Sequence, residues 1–284
     1  MTVLIVGASG FIGGHLYCIL KECVGLDVVG TFHSHRKDAH FLSLDATDKT
    51  AFRSVLKNVN PDVILLVAGN KNVKECEVDY EKAYRQNVLP LKNMMEIILE
   101  DQMKIKIILF SSDYVFDGTK GSYSDVDVTC PVTNYGKTKL LAEELLLSSG
   151  LDGKVIRTSA VIGPGSVFLE WLRQTLRTGQ ECKMFSRIYF SPTSMDLLGE
   201  VIFYLINNYK NVGEKILHVT NGQRMSRFEF AVMCQKLMKD SHVQIIQDEA
   251  TGGFPHDLSL LPSRIQQHVH VGPLEEYIQG IIND

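Results

Sequence analysis

Three residues that together could deliver a proton to a carbonyl group lie within residues 111–143. Ser112 ends an apolar run, and Tyr135 and Lys139 are four residues apart, which places them on one face of a predicted helix. The lysine charge favours the phenolate, so we expect it to lower the tyrosine pKa from its ordinary value near ~10. The trio is predicted to be catalytic: Tyr135 protonates a carbonyl oxygen that Ser112 orients, while a hydride reaches the carbon.

The same tyrosine–lysine spacing occurs a second time, at Tyr17 and Lys21, inside the first predicted helix. We interpret that pair as structural, because sequence context separates the two. Tyr135 begins a helix after a polar loop, and Ser112 precedes it by one strand-to-helix connection. In an open parallel sheet, ligands bind where strands end, so the later pair is the candidate for catalysis.

A glycine-rich turn follows the first predicted strand, residues 3–6, and opens a helix. Glycines permit a tight turn, let the backbone approach a pyrophosphate and allow the helix to pack closely on the strand. The helix N-terminus offers free N–H groups and the positive end of its dipole to phosphates. The spacing is GxxGxxG rather than GxGxxG, and the alternative is a purely structural bend. The residues predicted to hold a dinucleotide are Gly7, Ser9, Gly10, Phe11, Ile12 and Gly13.

The end of the second predicted strand, residues 27–32, indicates which dinucleotide is bound. No acidic residue follows it to hold a ribose 2′-hydroxyl. His33, Ser34, Arg36 and Lys37 instead offer donors and positive charge, which favours a 2′-phosphate and hence NADP(H). The alternatives are NAD(H) or a merely solvated charged loop. Asp45, after the third predicted strand, could accept from the adenine amino group or cap a helix.

Short apolar runs alternate with helical patterns along the chain, which predicts an α/β fold with a Rossmann-type doubly wound parallel sheet. We assign residues 1–160 to an NADP-binding domain to which residues 193–211 return. Residues 161–192 and 212–284 are predicted to form a smaller C-terminal α/β substrate lobe. The predicted strands are residues 3–6, 27–32, 41–44, 63–68, 105–110, 154–157 and 216–220. The predicted helices are residues 11–22, 48–58, 79–100, 135–148, 168–178, 196–208 and 227–239.

Bulk composition excludes several classes of protein. The net charge of −4 provides no basic surface for nucleic acid. Six cysteines in no CxxC pair predict buried, reduced thiols rather than a metal site or a disulfide framework. The apolar run at residues 3–6 stops at Gly7, which predicts a strand rather than a targeting segment. No apolar stretch approaches the ~20 residues of a membrane span, so we expect no membrane association and a cytoplasmic location.

Two stretches carry a family resemblance. Residues 111–118, SSDYVFDG, resemble the STDYVFDG stretch of the dTDP-4-dehydrorhamnose reductase group of extended short-chain dehydrogenases/reductases, with Ser112 in place of threonine. Residues 131–140, PVTNYGKTKL, resemble that group's P-x-N-x-YG-x-(S/T)-K-L segment. The sequences at 157–159 and 192–193 and Asn87 resemble further family landmarks, so the resemblance covers nearly the whole chain.

The resemblance implies a Rossmann domain carrying NADP(H), a smaller lobe holding a nucleotide sugar, and a homodimer as the expected assembly. It implies that Tyr135 and Lys139 also contact the cofactor, the lysine through the nicotinamide ribose. The further residues implied to bind the cofactor are Ala68, Gly69 and Asn87. The residues implied to bind substrate are Ser112, Asp113, Ser159 and Ala160.

Three departures from the family pattern concern the predicted site. Ala160 stands where the reductases usually have an aromatic residue. Residues 254–260, FPHDLSL, resemble the family's Arg-Pro-x-Asn-(S/T)-x-Leu only loosely and lack its arginine. Residues 66–70, LVAGN, replace the usual Asn-Ala-Ala. The particular sugar is therefore left open, whereas the hydride chemistry is less affected.

The expected function is NADPH-dependent reduction of the 4-keto group of a nucleoside-diphosphate 4-keto-6-deoxysugar. Related 4,6-dehydratases of the family have an Asp-Glu pair directly after the serine or threonine. Here Asp113 is followed by Tyr114, so the glutamate is missing, which disfavours dehydration. Epimerisation stays open as an alternative. The regulatory β subunit of methionine adenosyltransferase is similar in SSDYVFDGT and YGKTKL, so a non-catalytic NADP-binding subunit is the second alternative.

Overall fold

The apolar runs of the sequence form the strands of the fold. The computed structural model describes residues 1–238, 243–249 and 253–283. The described strands, in chain order, are β1 Thr2–Val6, β2 Asp27–Phe32, β3 Leu42–Ser43, β4 Val63–Leu66, β5 Lys106–Ser112, β6 Gly153–Thr158, β7 Val161–Ile162, β8 Cys182–Phe185, β9 Tyr189–Phe190, β10 Thr193–Ser194, β11 Ile216–Val219, β12 Met225–Ser226 and β13 Ile245–Asp248.

The helical patterns predicted after these strands are also present, with extra helices near residue 75 and at the C-terminal end. The described α-helices are α1 Phe11–Lys21, α2 Lys49–Val59, α3 Val73–Val78, α4 Tyr80–Asn87, α5 Leu89–Glu100, α6 Asn134–Ser148, α7 Val167–Thr178, α8 Met195–Asn207, α9 Arg227–Leu237 and α10 Leu274–Ile282. The last residue of the helix predicted over residues 227–239 is Lys239, which lies outside the described residues.

Seven strands form the central sheet, in the order β11-β6-β5-β4-β1-β2-β3. The pairs from β3 to β5 are parallel, with Val3 opposite Val63 and Leu66 opposite Leu109. Chain progression reverses between β1 and β4, because β2 follows on one side of β1 and β4 lies on the other. Ligands bind at the carboxyl ends of strands at such a reversal. The predicted Rossmann-type parallel sheet is confirmed.

One predicted element is wrong. The long helix expected over residues 79–100 is interrupted, and α4 ends before Val88 while α5 begins after it. Pro90 stands in the first turn of α5, where backbone N–H groups have no partner within the helix, so its missing N–H costs no hydrogen bond. Inside a continuous helix the same proline would remove a hydrogen bond and clash with the preceding turn. The break brings the buried side chain of Asn87 to the end of α4.

The cysteines only partly follow the expectation. All six are free thiols. Cys76, Cys182 and Cys234 are buried, and the pKa of each thiol is raised by burial. Cys18, in α1, and Cys130, in the loop before α6, are exposed, so the expectation of burial is wrong for them.

The chain divides into two compact units. The first comprises Met1–Val115, Thr129–Arg157 and Leu205–Leu217, and its core packs helices on the sheet around Phe52, Leu91 and Ile107. The second comprises Phe116–Val128, Thr158–Tyr204 and the described part of His218–Asp284, with a core around Phe230. The assignment of cofactor binding and substrate binding to two domains stays a prediction.

Among the described residues no helix is both long enough and apolar enough to cross a membrane.

Candidate active site

Ser112 is the last residue of β5, two residues beyond the predicted end of that strand. Its side chain is 8% exposed, and its hydroxyl donates to a carboxylate oxygen, Oδ1 of Asp113, at 2.8 Å. The backbone N–H of Tyr114 donates to the same hydroxyl at 3.3 Å. Asp113 is itself buried and opens a short 3-10 turn. The serine hydroxyl is thus held in one orientation at a strand end.

Tyr135 stands in the first turn of α6. The helix begins there because the Thr133 hydroxyl accepts from the N–H of Gly136 at 3.0 Å. Gly136 also lets the helix approach closely, since a Cβ at this position would lie 2.1 Å from the carbonyl oxygen of Tyr114. The rings of Tyr114 and Tyr135 meet edge to face at 5.5 Å. These contacts place the Tyr135 phenol near the Ser112 side chain, close enough for the serine to affect the phenol pKa.

The ionisation of Tyr135 differs from the sequence-based expectation. Burial raises the pKa of its phenol above the ordinary value, and the Ser112 side chain opposes that rise. We expected Lys139 to lower this pKa, but the structure assigns the lowering effect to the serine. Removal of the phenol from water disfavours its charged form more than the serine favours it. Tyr135 therefore holds its proton at neutral pH.

Lys139 follows one turn later on α6 and is 8% exposed. Its ammonium donates to the carbonyl oxygen of Phe110, in β5, at 2.5 Å. Burial lowers the pKa of Lys139 to about 8, and the negative charge of Glu143 opposes that fall. The side chain therefore carries its charge below that pH and is fixed beside the strand that ends in Ser112.

No role was predicted from the sequence for the acidic residue that follows Lys139 on α6. Glu143, one further turn along α6, forms a buried ion pair with Arg157 and accepts from the Ser111 hydroxyl. Arg157 lies in β6, a strand whose residues are all buried. A signal for this pair was available in the sequence. Glu143 lies in a predicted helix and Arg157 in a predicted strand, and each charge stands within a segment whose pattern predicts burial.

The earlier Tyr17–Lys21 pair is organised differently. Tyr17 is buried and its ring packs edge to face on Phe41 at 4.7 Å. The ammonium of Lys21 lies 5.3 Å from the Tyr17 ring centre, and the nearby Tyr17 side chain raises the lysine pKa. A packed ring with an exposed lysine beside it is a structural arrangement, as the sequence context indicated.

The glycine-rich turn after β1 fits a dinucleotide phosphate. Gly7 has φ +95°, and a Cβ there would lie 2.8 Å from the N atom of Ala68. A Cβ on Gly13 would lie 2.3 Å from the carbonyl oxygen of Gly7, so only glycine allows α1 to pack this closely on the turn. Gly10 is the N-cap of α1, and no side chain of the described residues caps that end. The first N–H groups of α1, at Phe11 and Ile12, are thus offered to an anion. Ser9 donates its own N–H to the carbonyl oxygen of Thr31.

The loop after β2 holds its polar side chains at the surface. The Arg36 guanidinium donates to the carbonyl oxygens of Asp38 and Ala39, and Ser34 contacts a ring nitrogen of His35 at 3.0 Å. His33 lies 3.7 Å from the carboxylate of Asp45. Asp45 accepts from Thr47, which lowers the pKa of the carboxyl, while Asp48 is the residue that caps α2. The cap alternative for Asp45 is therefore wrong.

Asn87 connects the loop after β4 to α6. Its amide oxygen accepts from the N–H of Asn70 at 2.7 Å, and its amide nitrogen donates to the Thr138 hydroxyl at 3.0 Å. Gly69 makes this possible, because a Cβ there would lie 2.8 Å from the Asn87 oxygen. Asn87 thus ties the turn that follows Ala68 to the helix that carries Tyr135.

Ser159 and Ala160, implied to bind substrate, belong to the second unit. The Ser159 hydroxyl accepts from the N–H of Ser191 at 3.4 Å. The carbonyl oxygen of Ala160 accepts from the N–H of Thr193 at 3.0 Å, beside the β7–β10 pair. Their role toward substrate stays a prediction. Over the described ranges, no three His, Cys, Asp or Glu side chains are grouped so that they could hold a metal ion.

Comparison with known proteins places this geometry in a family. The family described as the RmlD substrate binding domain matches residues 1–259. The chain is 29% identical to the spore coat polysaccharide biosynthesis protein SpsK of Bacillus subtilis, over 98% of this chain and 96% of that protein. It is 27% identical to methionine adenosyltransferase 2 subunit beta of Xenopus laevis, over 89% of this chain and 77% of that protein.

A solved structure supports the same placement. The crystal structure of a hypothetical dTDP-4-dehydrorhamnose reductase from Sulfolobus tokodaii is 30% identical and has a TM-score of 0.84, with 95% of this chain and 96% of that one covered. The Bacillus anthracis dTDP-4-dehydrorhamnose reductase, solved in complex with NADP, shares the fold at 21% identity and a TM-score of 0.83, with 99% of this chain and 98% of that one covered.

Proposed function

This chain belongs to the RmlD substrate binding domain family, and we propose that it uses NADPH to reduce the 4-keto group of a nucleoside-diphosphate 4-keto-6-deoxysugar. It is an NAD(P)-dependent oxidoreductase of the extended short-chain dehydrogenase/reductase type. The resemblance expected from residues 111–143 is thereby confirmed. The substrate, its reaction and the roles of individual residues are the proposal.

The observation that carries the proposal is the arrangement at the end of β5. The Tyr135 phenol lies beside the Ser112 side chain, which acts to lower its pKa, and the Lys139 ammonium is fixed on the same strand through the Phe110 carbonyl. Because burial raises the pKa of Tyr135, the phenol is protonated at neutral pH. Reduction of a ketone consumes a proton, so a protonated phenol is the form that the reaction requires.

The roles of the residues follow from these contacts. Bound NADPH would supply the hydride to the carbonyl carbon. Tyr135 would give its hydroxyl proton to the carbonyl oxygen, so that the C=O bond becomes an alcohol, and the phenolate would regain a proton from solvent. Lys139, charged below its pKa of about 8, would stabilise that phenolate. Ser112 would orient the carbonyl, with Asp113 holding the serine hydroxyl.

The cofactor part of the proposal rests on the turn after β1 and the loop after β2. The uncapped N-terminus of α1 would bind the pyrophosphate, and Gly7 and Gly13 leave the room it needs. Arg36, with His33 and Ser34 nearby in the chain, would favour the 2′-phosphate of NADPH. Asp45 would bind the adenine, and Ala68 and Gly69 would line the same edge, supported by Asn87.

Further parts of the proposal concern the substrate and the cellular setting. Ser159 and Ala160 are proposed to contact the sugar nucleotide. Relatives named dTDP-4-dehydrorhamnose reductase, such as that of Aggregatibacter actinomycetemcomitans, support a dTDP-linked sugar. A cytoplasmic location and a homodimer complete the proposal.

The test is turnover. Purified full-length protein is mixed with NADPH and dTDP-4-keto-6-deoxyhexoses, and loss of the nicotinamide absorbance is followed. We expect turnover that disappears in Tyr135→Phe, because that change removes the proton donor, and that persists in the matched control Tyr17→Phe. Cofactor binding without turnover on any nucleotide sugar would overturn the reductase proposal.

A second candidate function is a non-catalytic NADP-binding regulatory subunit. The similarity to methionine adenosyltransferase 2 subunit beta over 89% of the chain favours it. Under this alternative the protein binds NADPH without turnover and forms a stable complex with a catalytic methionine adenosyltransferase. Co-purification of the two proteins would identify a regulatory subunit. If the protein is a reductase instead, we expect no co-purification.

A further inference from the structure

Arg224, in the second unit, is held on two sides. Its Nε donates to Oδ2 of Asp257 at 2.6 Å. Its guanidinium carbon lies 3.6 Å from the centre of the Tyr189 ring, so the charged plane rests on the aromatic face. The side chain is nevertheless 45% exposed.

The two groups that hold Arg224 are themselves fixed. Oδ1 of Asp257 accepts from the N–H and the hydroxyl of Ser259, at 3.1 and 2.6 Å. Gly121, at φ +69°, leaves room for this carboxylate, because a Cβ there would lie 2.1 Å from Oδ2. The backbone of Tyr189 is bonded to His256 at 2.7 Å and to Leu258 at 3.1 Å. The guanidinium is therefore oriented before any ligand binds.

The contact through Nε leaves both terminal nitrogens of Arg224 without a hydrogen-bond partner in the described part of the chain. Other arginines of the second unit are used differently. Arg173 and Arg187 spend Nη2 on exposed glutamates, and Arg177 spends it on the carbonyl oxygen of Ile282. Arg224 presents the two N–H-bearing ends of its fork to solvent, where a planar guanidinium matches paired oxygens of a phosphate.

We propose that Arg224 is an anion site that binds the diphosphate group of a nucleoside diphosphate. The proposal rests on the proposed function, because a nucleotide-sugar substrate carries that group. Asp257 balances the arginine charge, but it is only 11% exposed and its other oxygen is occupied by Ser259. The positive end of the pair is the end that reaches solvent. Asp257 and Tyr189 act as positioning residues, since they reduce the side-chain freedom that binding would otherwise remove.

Binding to the full-length protein tests the proposal by calorimetry, with dTDP, UDP, inorganic pyrophosphate and NADPH as separate probes. Arg224→Met should weaken dTDP and UDP binding by about tenfold or more, the loss of a charge-assisted hydrogen-bond pair. Arg224→Lys should weaken it less, because the charge remains while the fork is lost. Arg173→Met is the matched control, a partly exposed and ion-paired arginine of the same unit, and should change nothing.

Four results would overturn the proposal. Unchanged dTDP affinity in Arg224→Met is the first. The second is an equal loss of NADPH affinity, which would assign the arginine to the cofactor. For Asp257→Asn we expect weaker dTDP binding, because Asp257 positions the arginine. The third contradicting result is tighter dTDP binding by this variant, which would show that an anion must break the ion pair between Arg224 and Asp257. Pyrophosphate should bind through Arg224 more weakly than dTDP, and pyrophosphate affinity equal to dTDP affinity would reduce the site to a free-phosphate site.

The two proposals can fail separately. If Arg224→Met weakens dTDP binding but no nucleotide sugar is reduced, the anion site stands and the reductase function does not. If reduction occurs with the same KM in the wild type and in Arg224→Met, the function stands and the anion site does not. An unchanged Tm of each variant shows that the protein is still folded.

Discussion

The carboxylate of Glu143 and the guanidinium of Arg157 form an ion pair with side chains only 1% and 2% exposed. Nη2 of the arginine lies 2.6 Å from Oε2, and Nε reaches Oε1 at 3.1 Å, so the contact has two points. Glu143 lies one helical turn after Lys139, which is one turn after Tyr135. The ion pair is therefore the charged support beneath the proposed catalytic residues.

Removal of one partner of this pair should destabilise the fold. Glu143→Gln leaves the Arg157 charge buried without its counter-ion, and the free energy of unfolding should fall by about 3–5 kcal/mol. Urea denaturation measures this. Glu144→Gln, at the neighbouring exposed position of α6, is the matched control and should leave stability nearly unchanged. Equal stability of the two variants would contradict the prediction.

The activity of the proposed reductase should decline as pH rises through about 8. Burial disfavours the charged form of Lys139 and lowers its pKa to about 8, so the ammonium is present below that pH and lost above it. The Glu143 charge raises this pKa, so Glu143→Gln should move the falling limb of the kcat/KM profile to lower pH. Measurement is made at a temperature where the variant is folded. A limb that stays in place would show that Lys139 is not the titrating group.

The close packing of α1 on the glycine turn should be intolerant of a methyl group. A Cβ on Gly13 would meet the Gly7 carbonyl oxygen at 2.3 Å, and a backbone atom cannot turn aside. Gly13→Ala should lower the free energy of unfolding by about 1–3 kcal/mol and weaken NADPH binding.

Gly280→Ala is the matched control for this change, since Gly280 lies in α10 with nothing within 4 Å of its Cβ position. It should be neutral or raise stability by up to about 1 kcal/mol, because alanine favours the helix. If both alanines are tolerated equally, the steric argument for Gly13 fails.

Arg36 should discriminate between the two nicotinamide cofactors. Arg36→Ala is expected to weaken NADPH binding by about tenfold, the loss of a charged hydrogen bond to the 2′-phosphate, and to leave NADH binding nearly unchanged. Fluorescence titration of both cofactors measures the difference. Lys57→Ala removes the same charge from an exposed position where Lys57 pairs with Asp101, and should affect neither cofactor. Equal losses for NADPH and NADH in Arg36→Ala would reject the 2′-phosphate assignment.

Local pattern was sufficient to predict much of the first unit. The apolar runs at β1, β4 and β5 are strands because each is largely buried in the sheet, and that information lies in consecutive residues. The single helix predicted over residues 79–100 is wrong. Its apolar periodicity continues through Pro90, although α5 begins as a separate helix with Pro90 in its first turn. The short strands of the second unit, such as β8 and β13, pair with distant partners and have no comparable local signal.

The sequence by itself determined the proposed catalytic residues and the strand-helix alternation of the first unit. Tyr135 and Lys139 share a helix and Ser112 lies at a strand end, and both relations are short-range. Only the tertiary structure decided how those groups are charged and supported. The pKa of Tyr135 is raised and that of Lys139 is lowered by burial, which depends on every element packed around them. Glu143 meets Arg157, and Arg224 meets Asp257, across segments that folding alone brings together. Charge and contact are properties of the packed chain, whereas spacing along a helix is a property of the sequence.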